Sequence, residues 1–189
     1  MRDKLFAGVD EVGRGCLAGP VVSCVVILKK SIKKSLLKDS KMIPFKDRLV
    51  IADHIKKNSW FSIGLASVNE IDKFNIFNAS LLSMERAIKK LKKKPDIFLI
   101  DGTHAPKKIN NFRTIVKGDQ KIKCISAASI IAKAYRDLYM IRLSNKYPKY
   151  KWNKNFGYGT SQHLSALKKF GVTNYHRRSY KPVHNILSK

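Results

Sequence analysis

Leu5 to Val12 and Val21 to Leu28 are two almost unbroken apolar runs, and each reads as a buried strand. The connection between them is short and carries Gly19-Pro20, which favours an antiparallel pair. Lys29 to Lys41 is polar and lysine-rich, as loops are. From Lys46 to Lys57, Leu49, Val50, Ile51 and Ile55 recur at helical spacing. Trp60 to Ser67 predicts a third strand. Asn75 can cap a helix from Ile76 to about Leu91, with Leu81, Leu82, Met84 and Ile88 on its apolar side. The basic run Lys89 to Lys94 suits the end of that helix, where the dipole favours cations. Ile97 to Ile100 predicts a short strand ending at Asp101-Gly102, and Arg113 to Val116 a shorter one ending near Gly118-Asp119. Ser126 can cap a long helix that reaches about Tyr147. The remaining stretch, Pro148 to Lys189, is basic and aromatic, with one helix near Ser161 to Phe170.

A hairpin followed by alternating strands and helices predicts an α/β fold, a mixed five-stranded sheet flanked by helices. The 189 residues suit a single domain, 1–189, of which about 148–189 is a basic helical C-terminal extension. In open sheets of this kind ligands gather at the carboxyl ends of strands.

Charge narrows the partner. With 39 Lys and Arg against 13 Asp and Glu, the net charge is +26, which points to a polyanion and most simply to nucleic acid. Most of the basic residues are lysine, so part of this charge can reflect compositional bias. Charge alone also admits a basic RNA-binding module such as a ribosomal protein. Cys16, Cys24 and Cys124 form no close pair, which argues against a disulfide framework and for a reducing compartment. No signal peptide opens the chain, and Cys16 to Leu28 is too short to span a membrane. A cytoplasmic protein is expected.

Against this excess of base, the placement of acids is informative. Asp10 and Glu11 stand side by side at the end of the first strand, followed by Gly13-Arg14-Gly15. Adjacent side chains on a regular strand face opposite ways, so for both to serve one site the strand must end or twist near them. Asp101 ends another strand; a turn aspartate is the plainer reading of that residue alone. Asp119, in Lys117-Gly118-Asp119, has the same ambiguity and reads as a turn residue. On the long helix Asp137 shares a stripe with Ser126, Ile130 and Lys133 at the edge of an apolar arc. It can meet the carboxylates of the sheet or pair with Lys133 or Arg136. Crowded carboxylates suit divalent ions. Two Mg²⁺ ions about 4 Å apart can activate water on one side of a phosphodiester and stabilise the leaving oxygen on the other.

These residues stand in strings that resemble bacterial ribonuclease HII, a type 2 ribonuclease H. The strings are G-V-D-E-V-G-R-G-C-L-A-G-P-V-V, D-S-K at Asp39 to Lys41, L-I-D-G at Leu99 to Gly102, K-G-D at Lys117 to Asp119, S-A-A-S-I-I-A-K-A-Y-R-D at Ser126 to Asp137, G-Y-G-T at Gly157 to Thr160, and H-R-R-S-Y-K-P-V at His176 to Val183. They run in order over nearly the whole chain. The resemblance implies a ribonuclease H-like fold and catalytic, metal-binding acids at Asp10, Glu11, Asp101 and Asp137. It implies two divalent ions, Mg²⁺ or Mn²⁺, and a monomer. The implied reaction cuts on the 5′ side of ribonucleotides, in RNA/DNA hybrids or singly embedded in duplex DNA, leaving a 3′-hydroxyl and a 5′-phosphate. Gly13, Arg14 and Gly15 would approach the 2′-hydroxyl and a phosphate, with Lys41 and Lys133 as further substrate contacts. Tyr158 would stack on the sugar at the RNA-to-DNA step. Phe156 and Gly159 depart from the family, which often has lysine and proline there, and a more flexible loop is expected. A ribonuclease HIII and a junction resolvase are the neighbouring alternatives; the first typically carries an extra N-terminal domain.

Overall fold

The computed structural model describes residues 4–29, 32–33, 36–37, 40 and 42–188. Five strands form one sheet: β1 (Phe6–Val12), β2 (Val21–Leu28), β3 (Ser59–Ala66), β4 (Ile97–Asp101) and β5 (Phe112–Ile115), in the order β3-β2-β1-β4-β5. β1, β2 and β3 pair antiparallel, whereas β4 joins β1 and β5 joins β4 in parallel. The mixed five-stranded sheet expected from the pattern is therefore present.

Helices cover both faces. α2 (Val68–Lys90) packs on one side, where Ala7, Val9, Val25 and Ile27 meet Met84 and Ala87. α1 (Phe45–Lys57) and α4 (Lys123–Lys146) cover the other, where Val22, Cys24 and Val26 meet Ile130, Ile131 and Ala134. α4 crosses β1 so closely that a Cβ on Gly8 would lie 2.1 Å from the Cys124 carbonyl carbon. A glycine there lets the long helix settle onto the strand that carries Asp10.

The short α3 (Gly118–Lys121) follows β5. Beyond α4 come a 3-10 turn at Pro148–Tyr150, α5 (Trp152–Asn155), α6 (Ser161–Phe170) and α7 (Lys181–Leu187). This extension has its own core, with Trp152, Tyr150, Leu167 and Val183 packed on Leu17, Met140 and Leu143. Among the described residues no helix is long and apolar enough to cross a membrane.

Three elements differ from the pattern. α2 begins at Val68, not Ile76: Ser67 and Glu70 form a reciprocal capping box. Asn75 breaks the helix with φ 62°, and its Oδ1 then accepts from Asn78 N at 3.0 Å, starting the second half. α4 begins at Lys123, three residues before the expected cap. α7 carries only a few apolar residues and gave no periodic signal.

Candidate active site

β1 and β4 stop pairing at Val9 and Ile100. From Asp10 onward the side of β1 that faces β4 is therefore open, which answers the alternation problem. Asp10 points to the α4 side and Glu11 to the α2 side, yet both border the gap where β4 ends at Asp101. A cavity of about 180 Å³ lies there, lined by Asp10, Glu11, Asp101, Asp119, Ser129 and Lys133, with Tyr158 and Ser40 at its margin. Glu11 and Asp101 also border a second cavity of about 260 Å³ on the α2 side, with Arg14 and His104.

Each acid is held by its own neighbours. Asp10 Oδ1 accepts from Glu11 N at 2.7 Å, and its carboxylate also hydrogen-bonds Ser129. Ser129 in turn bonds Ser40 at 2.9 Å, which ties α4 to the segment before α1. Asp101 Oδ1 accepts from Gly118 N at 2.6 Å. That bond folds the Lys117-Gly118-Asp119 turn back onto the strand end and brings Asp119 to the same cavity. Asp119 is buried.

The electrostatics are unfavourable without a counter-charge. Burial pushes the Asp10 carboxyl well above the usual range, and the charges of Glu11 and Asp101 add to the effect. Burial also raises Glu11, although Arg14 Nη1, 3.4 Å from Oε1, works against it. Glu11 Oε2 is buried with no hydrogen-bond partner. Among the described residues no three His, Cys, Asp or Glu side chains are already drawn together at the spacing of a metal cage. The four carboxylates share a cavity, and like charges there raise the cost of ionising Asp10 and Glu11. Hard oxygens, an orphan carboxylate oxygen and mutual repulsion together fit a divalent cation of the Mg²⁺ or Mn²⁺ type.

Asp137 stands elsewhere. It is fully buried and absent from the cavity lining. Its Oδ2 accepts from Arg48 Nη2 at 2.9 Å and its Oδ1 from Lys133 Nζ at 2.9 Å. Arg48 also donates to the carbonyls of Ser40 and Ile43 at 2.9 and 2.8 Å. Asp137 therefore anchors α1 to α4 and aims Lys133, which does line the cavity. The pairing with Lys133 is the alternative its helix position left open. Arg48 was not visible as its partner from sequence.

The glycine triplet and Tyr158 meet. Cys16 and Tyr158 form an isolated antiparallel bridge, and Leu17 N donates to Gly157 O at 2.8 Å. Lys133 Nζ lies 5.3 Å from the Tyr158 ring centre. The ring is half-buried, and burial pushes its phenol up to about 12, so it stays protonated. Two fully buried arginines, Arg136 and Arg177, hold this region through backbone carbonyls. Arg136 donates to the carbonyls of Pro20, Ala18 and Phe156 at 2.8–2.9 Å. Arg177 donates to those of Gly13, Arg14 and Gly19 at 2.6–3.0 Å. Tyr180 Oη also donates to Arg14 O. The Phe156 loop is thus bonded on both sides, despite its departures from the family strings. Arg136, offered by the sequence as a partner for Asp137, binds backbone carbonyls instead, and Arg177 gave no local signal because arginine is ordinarily a surface residue. Arg14 keeps a half-exposed guanidinium, and the Gly15 backbone is open to approach. Lys41 lies outside the described residues; its neighbour Ser40 lines the cavity.

Gly13 has φ 96°, and a Cβ there would stand 2.3 Å from Arg136 Nε. Gly13→Ala is expected to lower stability by roughly 2 kcal/mol or more, through left-handed strain and a clash with a side chain that cannot move. Thermal unfolding measures it; an unchanged midpoint would mean that this loop is free to relax.

The ribonuclease HII family profile matches residues 7–183. A ribonuclease HII of Pelagibacter ubique is 53% identical over 186 residues, covering 97% of this chain and 100% of that one. Among solved structures, the ribonuclease H2 of Pyrococcus horikoshii superposes with a TM-score of 0.80 at 26% identity, covering 97% of each chain. A ribonuclease HIII, Bst-RNase HIII, solved in complex with Mn²⁺, shares the fold at 16% identity with a TM-score of 0.79, covering 98% of this chain and 70% of that one.

Proposed function

Because the chain belongs to the ribonuclease HII family of RNA/DNA-hybrid endonucleases, we propose that it hydrolyses the phosphodiester on the 5′ side of ribonucleotides. The substrates are RNA/DNA hybrids and single ribonucleotides embedded in duplex DNA, and the products carry a 3′-hydroxyl and a 5′-phosphate. The observation that carries this reading is the convergence of Asp10, Glu11, Asp101 and Asp119 on one cavity that Lys133 and Tyr158 also line. In this reading Asp119, not the Asp137 expected from the sequence strings, is the fourth acid. Asp137 orients Lys133 instead.

Asp10, Glu11, Asp101 and Asp119 would hold divalent cations, Mg²⁺ or Mn²⁺. When bound, such ions make water a better nucleophile and neutralise charge on the phosphate oxygens. Lys133, pinned by Asp137, presents its ammonium to a phosphate of the cleaved strand. The Gly13-Arg14-Gly15 backbone, held from behind by Arg177, presents donors and acceptors to a 2′-hydroxyl, which both donates and accepts. Tyr158 stacks on the neighbouring deoxyribose, where a second 2′-hydroxyl would collide. The net charge of +26 draws the duplex in. The protein works as a cytoplasmic monomer.

Cleavage mapping on an end-labelled duplex with one ribonucleotide, with and without Mg²⁺, tests the proposal. One metal-dependent product ending in a 3′-hydroxyl immediately before the ribonucleotide is expected. Cleavage of all-DNA junctions, or none at a lone ribonucleotide, would overturn it. Tyr158→Ala is expected to lower kcat at the lone ribonucleotide by about 10–100-fold through lost alignment, with duplex affinity changed by less than about threefold. Equal losses in both would refute the stacking role.

A further inference from the structure

Behind the Tyr158 loop lies a buried chain of ring nitrogens. His163 stands in the first turn of α6, and His176 in the segment after it; both are almost wholly buried. Their Nε2 atoms are 3.1 Å apart. Trp152 Nε1 donates to His163 Nε2 at 3.0 Å, and Thr173 N donates to His176 Nδ1 at 3.0 Å. His163 Nδ1 lies 2.9 Å from the Tyr158 carbonyl oxygen.

Indole and amide nitrogens only donate. His163 Nε2 is therefore bare and its proton sits on Nδ1, where it donates to Tyr158 O. His176 Nδ1 is likewise bare, so its proton sits on Nε2 and points at His163 Nε2. With both imidazoles neutral, Trp152 Nε1 and His176 Nε2 share the one lone pair of His163 Nε2. Burial favours that neutral state, lowering His163 and bringing His176 to about 3.

The chain ends on the backbone of one candidate substrate residue. Tyr158 O accepts from His163 Nδ1 and from Thr160 N at 2.8 Å. The residues on either side are glycines, Gly157 with φ 84°, and Tyr158 N donates to Asn155 O at 2.9 Å, so hydrogen bonds at both ends set this residue's backbone. A rotation of the peptide would swing the tyrosine ring at the cavity margin.

We propose that His163, locked in its Nδ1-protonated form by Trp152 and His176, is a positioning residue that sets the Tyr158 ring for discrimination of the RNA-to-DNA step. This rests on the stacking role proposed above for Tyr158. Nothing in the sequence strings singled out His163, and the side chains of Trp152 and His176 both bond its Nε2.

Two substitutions divide the imidazole. In His163→Asn the amide nitrogen takes the place of Nδ1 and can still donate to Tyr158 O, but no acceptor remains for Trp152. In His163→Gln the side chain reaches the Nε2 position and still accepts from Trp152 and His176, but nothing donates to Tyr158 O. His163→Gln is expected to lose about 10–100-fold in kcat at a lone ribonucleotide with KM changed less than about threefold, while His163→Asn stays within about fivefold of wild type. A purely structural part predicts the reverse order, with kcat following the melting temperature; that result, or equal losses, overturns the proposal. Long-range ¹H–¹⁵N correlations on the wild-type protein report the His163 tautomer, and a proton on Nε2 would overturn it too. Tyr158→Ala measured alongside separates the two readings. If it leaves discrimination intact, the stacking role fails and this inference with it. If it abolishes discrimination while His163→Gln is silent, only the positioning role fails.

Discussion

Asp10→Asn is expected to bind an RNA/DNA hybrid as wild type does, to cut it at least about 10³-fold more slowly, and to melt at a higher temperature. The rate loss corresponds to about 4 kcal/mol of barrier. It follows from removing one carboxylate of a set that only works when its charge is available to a cation. The gain in stability follows from the same charge. Burial, Glu11 and Asp101 all raise the Asp10 carboxyl above its ordinary value. An acid whose folded pKa exceeds its unfolded one opposes folding at every pH above the unfolded value, so at neutral pH it costs stability. The cost fades as pH falls and the folded protein takes up the proton. Asparagine keeps an oxygen for Glu11 N but carries no charge. Each kcal/mol relieved is about 2–4 °C in the melting temperature of a chain this long. Single-turnover cleavage, hybrid binding in Ca²⁺ and calorimetry measure the three effects. Near-wild-type cleavage would remove Asp10 from the metal site, and a lower melting temperature would mean that its charge is satisfied in the fold.

The elements most legible in the sequence were those whose burial is two-sided. β1 and β2 run through the centre of the sheet, so nearly every position is apolar and the strands stand out. The adjacent acids at the end of β1 were equally plain in so basic a chain, whereas Asp101 at the end of β4 read by itself as a turn aspartate. What was hidden depended on contacts distant in the chain. The capping box at Ser67 and Glu70 was overlooked because the kink at Asn75 breaks the helical period just after it. Asp119 looks like a turn residue locally, but it stands in the first turn of the short helix α3. Only the bond from Gly118 N to Asp101, seventeen residues back, turns that turn toward the cavity. Arg136 and Arg177 spend their donors on backbone carbonyls of loops more than a hundred residues away for most of their bonds, and no local pattern announces such a role.

Asp119→Asn and Asp137→Asn should fail in opposite ways. Asp137 was expected among the metal ligands from its place in the sequence strings, and its helix stripe did put it at a buried edge. There it neutralises Arg48, whose side chain is 6% exposed, and holds Lys133. Removing one partner of a buried pair leaves the other charge uncompensated, which typically costs about 3–5 kcal/mol. Asp137→Asn should therefore melt roughly 10 °C lower. Below that temperature it should retain cleavage within about tenfold of wild type, since the four cavity acids remain and only the aim of Lys133 is loosened. Asp119→Asn leaves the Gly118-to-Asp101 bond and the Arg48 network in place, so its melting temperature should fall less than that of Asp137→Asn. Its cleavage should fall by about 10³-fold, in step with Asp10→Asn, because both remove charge from one cation site. Cation affinity makes the contrast sharper: titrating Mn²⁺ into each variant should show weakened binding for Asp119→Asn alone. The reverse pattern, a stable but inactive Asp137→Asn and an active Asp119→Asn, would return Asp137 to the metal and reduce Asp119 to a turn residue. The distinction matters for the chemistry, because an acid already committed to two cations within the protein has little charge left to offer a third.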